Sequence, residues 1–397
     1  MIKLSDRIVN LNESDTLKMA ALARQLQGQG VKVINLSLGE PDFDTPEHIK
    51  TAAKQAIDEN FSHYTPVSGY LDVRQAIVQK LKRDNGLDYT PEQIVISTGA
   101  KQSIANVVLC LVNPGEEVLL PSPYWVSYAA QVELAEGIAT EIPAGIETGF
   151  KITPDQLAKA IKPNSKLIIF SSPCNPTGAV YSKEELRALA EVIVQYDNLY
   201  VVSDEIYEYI NYVGKHESLA QFDFIKDRVI TVNGLSKGFA MTGWRLGYLA
   251  APLAIAKACD KMQGQFTSAT CSIAQRAAIA ALTGDLTPTI EMRDAFKKRR
   301  DLILSLLKEI PGLITDVPDG AFYVFPDVSF YLGKSDGEMT INNTDDLSMY
   351  LLHKAHVSTV NGQAFGNENC IRISYATSEE NIIEACQRMK TQLARLA

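Results

Sequence analysis

The chain has 397 residues, 46% of them hydrophobic, and a formal net charge of −9. That length accommodates a large buried core and two or three domains of ordinary size, as expected of a globular enzyme. The acidic balance excludes sequence-independent nucleic-acid binding, which needs a basic footprint to neutralise phosphates. From Met1 to Arg24 the residues Asp6, Arg7, Glu13, Asp15 and Lys18 interrupt the apolar positions, so no signal-peptide core is present. No apolar run approaches membrane-spanning length, and a cytoplasmic protein without membrane contacts is expected. Cys110, Cys174, Cys259, Cys271, Cys370 and Cys386 have no paired spacing, which suits reduced, mostly buried thiols. The five histidines form no ligand-like cluster, so no metal site is expected; His353 and His356 are three apart without a supporting Cys or carboxylate motif.

In chain order, the first clear helix opens at Asp44-Thr45-Pro46-Glu47, with proline in its first turn. Between about 46 and 285, β-branched runs alternate with helical patterns: Gln93 to Ser97, Glu117 to Leu120, Lys166 to Phe170, Leu199 to Ser203, Arg228 to Val232 and Arg245 to Ala250. Such alternation predicts an α/β layer with a mostly parallel sheet. Ser182 and Glu185 form a capping box ahead of Leu186, Leu189, Ala190 and Ile193, which share one helical face. A long amphipathic helix is expected from about Pro288 to Ile310, with Lys297-Lys298-Arg299-Arg300 on its solvated face. Shorter strands and helices then run to Ala397 as a second, smaller domain. There is no internal repeat and no long Gly/Ser linker.

In open α/β sheets, ligands bind beyond the carboxyl ends of the strands. Here five strands end in polar motifs: Thr98-Gly99-Ala100-Lys101, Ser122-Pro123-Tyr124-Trp125, Ser171-Ser172-Pro173-Cys174-Asn175-Pro176-Thr177-Gly178, Asp204-Glu205-Ile206-Tyr207, and Asn233-Gly234-Leu235-Ser236-Lys237. Lys237 supplies an amine that condenses with an aldehyde. Ser236 beside it and Arg245 eight residues on supply a hydroxyl and a permanently charged fork suited to phosphate oxygens. A helix opening at Gly99 adds backbone N–H groups and the positive end of its dipole. An amine and a phosphate cradle together point to pyridoxal 5′-phosphate.

The stretch Ser236-Lys237-Gly238-Phe239-Ala240-Met241-Thr242-Gly243-Trp244-Arg245, with Leu246-Gly247-Tyr248 after it, resembles the lysine segment of class I aminotransferases, in the fold type I family of pyridoxal-phosphate enzymes. Further matches run from Gly39 to Arg372, and the bacterial aspartate aminotransferase subgroup is the most similar. The resemblance implies a three-layer large domain over 46–287 and a smaller α+β domain assembled from 1–45 and 288–397. It implies that Lys237 is both covalent anchor and general acid/base, passing an amino group from one amino acid to a second keto acid by ping-pong exchange.

Asp204 is expected to face the cofactor ring nitrogen, with Tyr207 and Asn175 at the ring's phenolic oxygen; by itself, Asp204-Glu205 also reads as a helix cap. Gly99, Ala100 and Lys101 are expected beside the phosphate with Ser236 and Arg245. Trp125 is expected to stack on the ring or, by its residue type alone, to anchor the core. Arg372, mid-strand in Cys370-Ile371-Arg372-Ile373, is costly to bury unpaired; the family gives it the substrate α-carboxylate, with Gly39 against the same group. Tyr64 matches a tyrosine that crosses to a neighbouring subunit's phosphate, which implies a homodimer with shared sites, although the residue alone is equally an ordinary packing tyrosine. Lys101, unless simply solvated, would aim a cation at a distal carboxylate and so select aspartate, glutamate and their keto acids, with Thr16 adding a hydroxyl.

Two departures from the family pattern are expected to matter. Gly234 stands where a serine is usual, removing a phosphate contact, and Asn361 replaces a proline before Gly362, loosening that loop. The alternative substrates are aromatic or prephenate-type acids, and alanine or carbon–sulfur chemistry uses the same cofactor residues. A dinucleotide-binding dehydrogenase is disfavoured by the absence of an early Gly-x-Gly-x-x-Gly turn. A regulator with a DNA-binding module is disfavoured because no room for one precedes Gly39.

Overall fold

The computed structural model describes residues 2–397. Its strands are β1 (Ile34–Asn35), β2 (Ile94–Ser97), β3 (Glu117–Ser122), β4 (Ile138–Pro143), β5 (Ser165–Ser171), β6 (Tyr200–Asp204), β7 (Val229–Gly234), β8 (Gly247–Ala250), β9 (Tyr323–Val324), β10 (Val357–Ser358), β11 (Val360–Asn361) and β12 (Ile371–Ser374). Seven of them form one sheet in the order β2-β8-β7-β6-β5-β3-β4. Within it β4, β3, β5, β6 and β7 pair in parallel, whereas β8 pairs antiparallel with both β7 and β2.

Parallel strands joined by crossover helices are covered on both faces, so they read as near-continuous apolar runs. Side chains alternate across the pleat: Ile168 and Phe170 of β5 join one buried cluster, while Leu167 and Ile169 join the other. The first cluster packs against helices Glu47–Asp58, Leu71–Lys80, Lys183–Ile193 and Ser272–Thr283; the second packs against Ala100–Leu111, Ser127–Leu134 and Leu253–Phe266. The result is a helix–sheet–helix sandwich. Each fully buried Val, Leu or Ile contributes roughly 1.5–3 kcal/mol, and dozens of them dominate the fold's stability.

A separate cluster joins Ile34 and Leu36 to Met292, Phe296 and Ile303 of helix Thr287–Leu307, and to Ile382, Ala385 and Met389 of helix Glu379–Leu393. There β1 pairs in parallel with β10, so the N-terminal segment is hydrogen-bonded to the C-terminal part of the chain. Strands β11, β12 and β9 form a small antiparallel sheet that carries Arg372. No helix of the described residues is long and apolar enough to cross a membrane.

Three local expectations are corrected, and one strand was not foreseen. Strand β4 has no counterpart in the sequence reading, because it is an edge strand with a single buried residue, Ile142, and no apolar run. Pro46 is the residue capping helix Glu47–Asp58, not part of its first turn. Strand β8 starts at Gly247, since Arg245 adopts a left-handed backbone with φ of 52° that no strand admits. Asn361 does not loosen its loop: it is buried, accepts from Ala364 N at 2.9 Å and donates to Asp345 Oδ1 at 3.2 Å.

Candidate active site

Because β2, β3, β5, β6 and β7 run in one direction, their carboxyl ends lie along one edge of the sheet. The turns that follow them enclose a cavity of about 480 Å³. Ala100 and Lys101, Trp125, Asn175, Asp204 and Tyr207, and Ser236, Lys237 and Arg245 line it from the sheet side. Gly39 and Arg372 line it from the opposite side, with Thr16 from the N-terminal segment.

Lys237 lies three residues past the end of β7, and its Nζ donates to Gly39 O at 2.5 Å. Burial lowers its proton affinity to about 8; Glu40 and Asp204 oppose the fall, and Arg372 and Arg245 add to it. Asp204, at the end of β6, is buried and accepts from Tyr128 Oη at 2.7 Å and from Ile206 N at 3.2 Å. Its carboxyl is raised to about 6, chiefly by burial and against the Tyr128 bond. A carboxylate in such a setting gains from a nearby cation. One turn on, Tyr207 Oη stands 2.7 Å from Tyr323 Oη.

Arg372 is 1% exposed, the largest fully buried side chain. Its guanidinium donates to Asn175 Oδ1 at 3.0 Å and to Ser37 O at 2.5 Å, both uncharged, and its Nε has no partner. The rings of Tyr323 and Phe365 flank it at 4.7 and 4.9 Å. Burial depresses its proton affinity, and no carboxylate offsets that cost. Asn175 turns its carbonyl oxygen to Arg372, which leaves its amide NH₂ as the donor for a cavity ligand.

At the other end, helix Ala100–Leu111 begins at Gly99, whose φ of +83° suits glycine. A Cβ on Gly99 would stand 2.5 Å from Arg245 Nη2, so glycine lets this guanidinium lie against the helix start. Arg245 donates to Thr242 O at 2.9 Å and Thr98 O at 3.4 Å and stays solvent-accessible. Ser236, by contrast, is buried. Lys101 Nζ lies 5.0 Å over the Trp125 ring at the cavity mouth, and its surroundings, then Arg245, lower its proton affinity. Trp125 meets Tyr128 edge to face, with ring centroids 5.5 Å apart.

Thr16 Oγ1 is buried without a partner. Gly39 packs so closely under Tyr323 that a Cβ would collide with its hydroxyl. A side chain at Gly234 would stand 2.9 Å from Gly247 Cα and Leu246 O, so glycine there belongs to the close pairing of β7 with β8. Tyr64 lies outside the cavity of its own chain and is 97% exposed.

Among the lining residues that the sequence reading did not assign to the site, three bond to its other residues. Tyr128 had a usable signal, three residues after Trp125 in the first turn of helix Ser127–Leu134, where its N–H donates to Trp125 O at 2.9 Å. Tyr323, between Phe322 and Val324, is masked by an apolar strand. Glu40 had none, because its role depends on meeting Thr242 Oγ1, 202 residues away.

A sequence model of the family described as aminotransferase class I and II matches residues 31–389. The chain belongs to this family. The aminotransferase is 44% identical to the aspartate/prephenate aminotransferase of Cereibacter sphaeroides, over all of both chains. It superposes on the aspartate aminotransferase from Rhizobium meliloti with a TM-score of 0.96 at 40% identity, covering all of both chains. The aspartate aminotransferase from Thermus thermophilus with maleate gives a TM-score of 0.93 at 40% identity, over 99% of this chain and all of the other. The sandwich around the mostly parallel sheet is therefore the fold type I architecture expected from the lysine segment.

Proposed function

We propose that this aminotransferase uses pyridoxal 5′-phosphate to exchange the amino group between aspartate or glutamate and 2-oxo acids. One observation carries the reading: Arg372 is a fully buried cation with only neutral partners and a bare Nε, facing the same cavity as Lys237. A substrate α-carboxylate supplies the missing charge, and the flat guanidinium fork suits it.

The residues fit the cofactor. The open start of helix Ala100–Leu111, Ser236 and Arg245 suit a phosphate, Asp204 suits a protonated ring nitrogen, and Lys237 suits the aldehyde. When bound, pyridoxal phosphate supplies the aldehyde and the electron-withdrawing ring. Asp204 would hold the ring proton, and Tyr128 holds Asp204 in place. Tyr207 and the Asn175 amide would be the donors for the ring's oxygen, and Trp125 would offer an aromatic face to the ring. Lys237, neutral above about pH 8, would take up the substrate's α-proton and hold it for return as a general acid. Lys101 and Thr16 face the substrate's far end, which favours a second carboxylate.

Acceptance of prephenate-type acids is a second reading, favoured by Leu17, Leu38 and Trp125 in the lining and by the Cereibacter relative's name. The remaining proposals are a homodimer in which the exposed Tyr64 reaches a partner's phosphate, a smaller domain built from 1–45 and 288–397, and a cytoplasmic location, which six unpaired thiols support. The test is the visible spectrum of the purified holoenzyme. The yellow band is expected to shift on adding aspartate and to return with 2-oxoglutarate; a band that tyrosine or prephenate-derived donors shift far faster than aspartate contradicts the acidic-substrate reading.

A further inference from the structure

Lys237 opens a tight turn whose internal bonds run from Ala240 N to Lys237 O and from Met241 N to Ser236 O. Two carbonyls of that turn, Gly238 O and Ala240 O, point away from these bonds. Each is taken by a buried threonine: Thr289 Oγ1 donates to Gly238 O at 2.8 Å, and Thr45 Oγ1 donates to Ala240 O at 2.7 Å. The direction of the second bond is set by Trp244, whose Nε1 donates to the same Thr45 oxygen at 3.1 Å. Ala240 has φ of +50°, a conformation a non-glycine residue keeps only when its surroundings hold it. Gly238 is pressed on Tyr209, where a Cβ would stand 2.6 Å from the ring.

The two threonines lie on one piece of structure. Thr45 ends the strip that starts at Ser37 and Gly39, whose carbonyls receive Arg372 and Lys237. Thr289 sits in the first turn of helix Thr287–Leu307. Asp42 of the strip pairs with Arg299 of the helix at 2.6 Å, and the Phe43 ring meets Phe296 edge to face at 5.4 Å. A cavity of about 200 Å³ is lined by this piece and by the turn, and beside it the two hydroxyls tie the turn's carbonyls to the strip and the helix, as Thr242 ties to Glu40.

We propose that Thr45 and Thr289 are positioning residues that hold the turn behind Lys237 and thereby aim its amine into the cavity. The proposal rests on the reading of Lys237 as the working amine. Glu40, Asp204, Arg372, Arg245 and Tyr207 face that amine, and burial depresses its proton affinity. A released turn therefore lets the amine move towards water and regain protons.

The experiment follows Lys237 in the cofactor-free protein. Acetylation by a small anhydride is measured against pH by peptide mass mapping, beside thermal unfolding, in wild type, Thr45→Val, Thr289→Val, the double variant and both Thr→Ser variants. Wild-type labelling is expected to have its midpoint near 8. The double valine variant should raise it by about one unit, with serine restoring the wild-type value. If the double variant does not fold, the single variants carry the comparison. Valine variants that melt earlier but label with the wild-type midpoint overturn the positioning role alone. A wild-type Lys237 that labels like a surface lysine overturns both this proposal and the reading it rests on.

Discussion

Burial works against the charged forms of three cavity side chains, Asp204, Lys237 and Arg372. Asp204 is the clearest case, since burial lifts its carboxyl from the ordinary 3.8 to about 6. Between those values the folded protein binds a proton that the unfolded chain has lost, so this group's contribution to stability falls as pH rises from about 4 to 6. Asp204→Asn is therefore expected to stabilise the cofactor-free protein at neutral pH by on the order of 1–3 kcal/mol, while lowering transfer at least about 100-fold. Thermal melts beside steady-state assays check both directions. For Lys237 the sign is reversed: its folded proton affinity is about 8 against the ordinary 10.5, so the neutral, working form is lost as pH falls through 8. A rate profile with an acidic limb near 8 is expected where free Lys237 limits turnover. Arg372→Lys keeps the charge but loses the fork and is expected to weaken kcat/KM by on the order of 2–5 kcal/mol, mainly through KM for the amino acid.

At the scale of elements, the turn Asp204-Glu205-Ile206-Tyr207-Glu208 is anchored from behind. Glu205 accepts from Ser218 Oγ at 2.6 Å and Ser203 Oγ at 3.0 Å, and Glu208 pairs with Lys80, a lysine that is only 1% exposed. Lys80 also donates to Asn85 at 2.9 Å. Lys80→Met leaves the Glu208 charge buried without its partner, and a loss of about 3–5 kcal/mol in urea unfolding is expected. Ser182→Ala, which removes a cap on helix Lys183–Ile193, should cost only about 1 kcal/mol by the same measurement.

These contrasts also separate what the sequence discloses from what it hides. The doubly buried strands and the capping box follow from local patterns, and the polar turns after β2, β3, β5, β6 and β7 follow from their place at strand ends. Strand β4 is hidden because an exposed edge has no apolar signature, and Tyr323 because its hydroxyl finds Tyr207 116 residues away. The expected slackness at Asn361 failed for the same reason: a proline-to-asparagine change reads as lost stiffness until Asp345 and Ala364 are seen to hold the amide.

Across the whole molecule, the site draws on both ends of the chain. Gly39 and Arg372 reach it from outside the large sheet, Asp204 from the end of one of its strands and Lys237 from the turn after another, and Tyr64 stands exposed on the surface. A dimer with a mass near twice 43.6 kDa is expected in sedimentation, and Tyr64→Phe should weaken retention of pyridoxal phosphate without changing that mass. Everything converges on the amine at position 237. Borohydride reduction of the holoenzyme followed by peptide mass analysis should place one pyridoxyl phosphate adduct on Lys237, absent from Lys237→Ala. An adduct on another lysine, or none at all, would contradict the account.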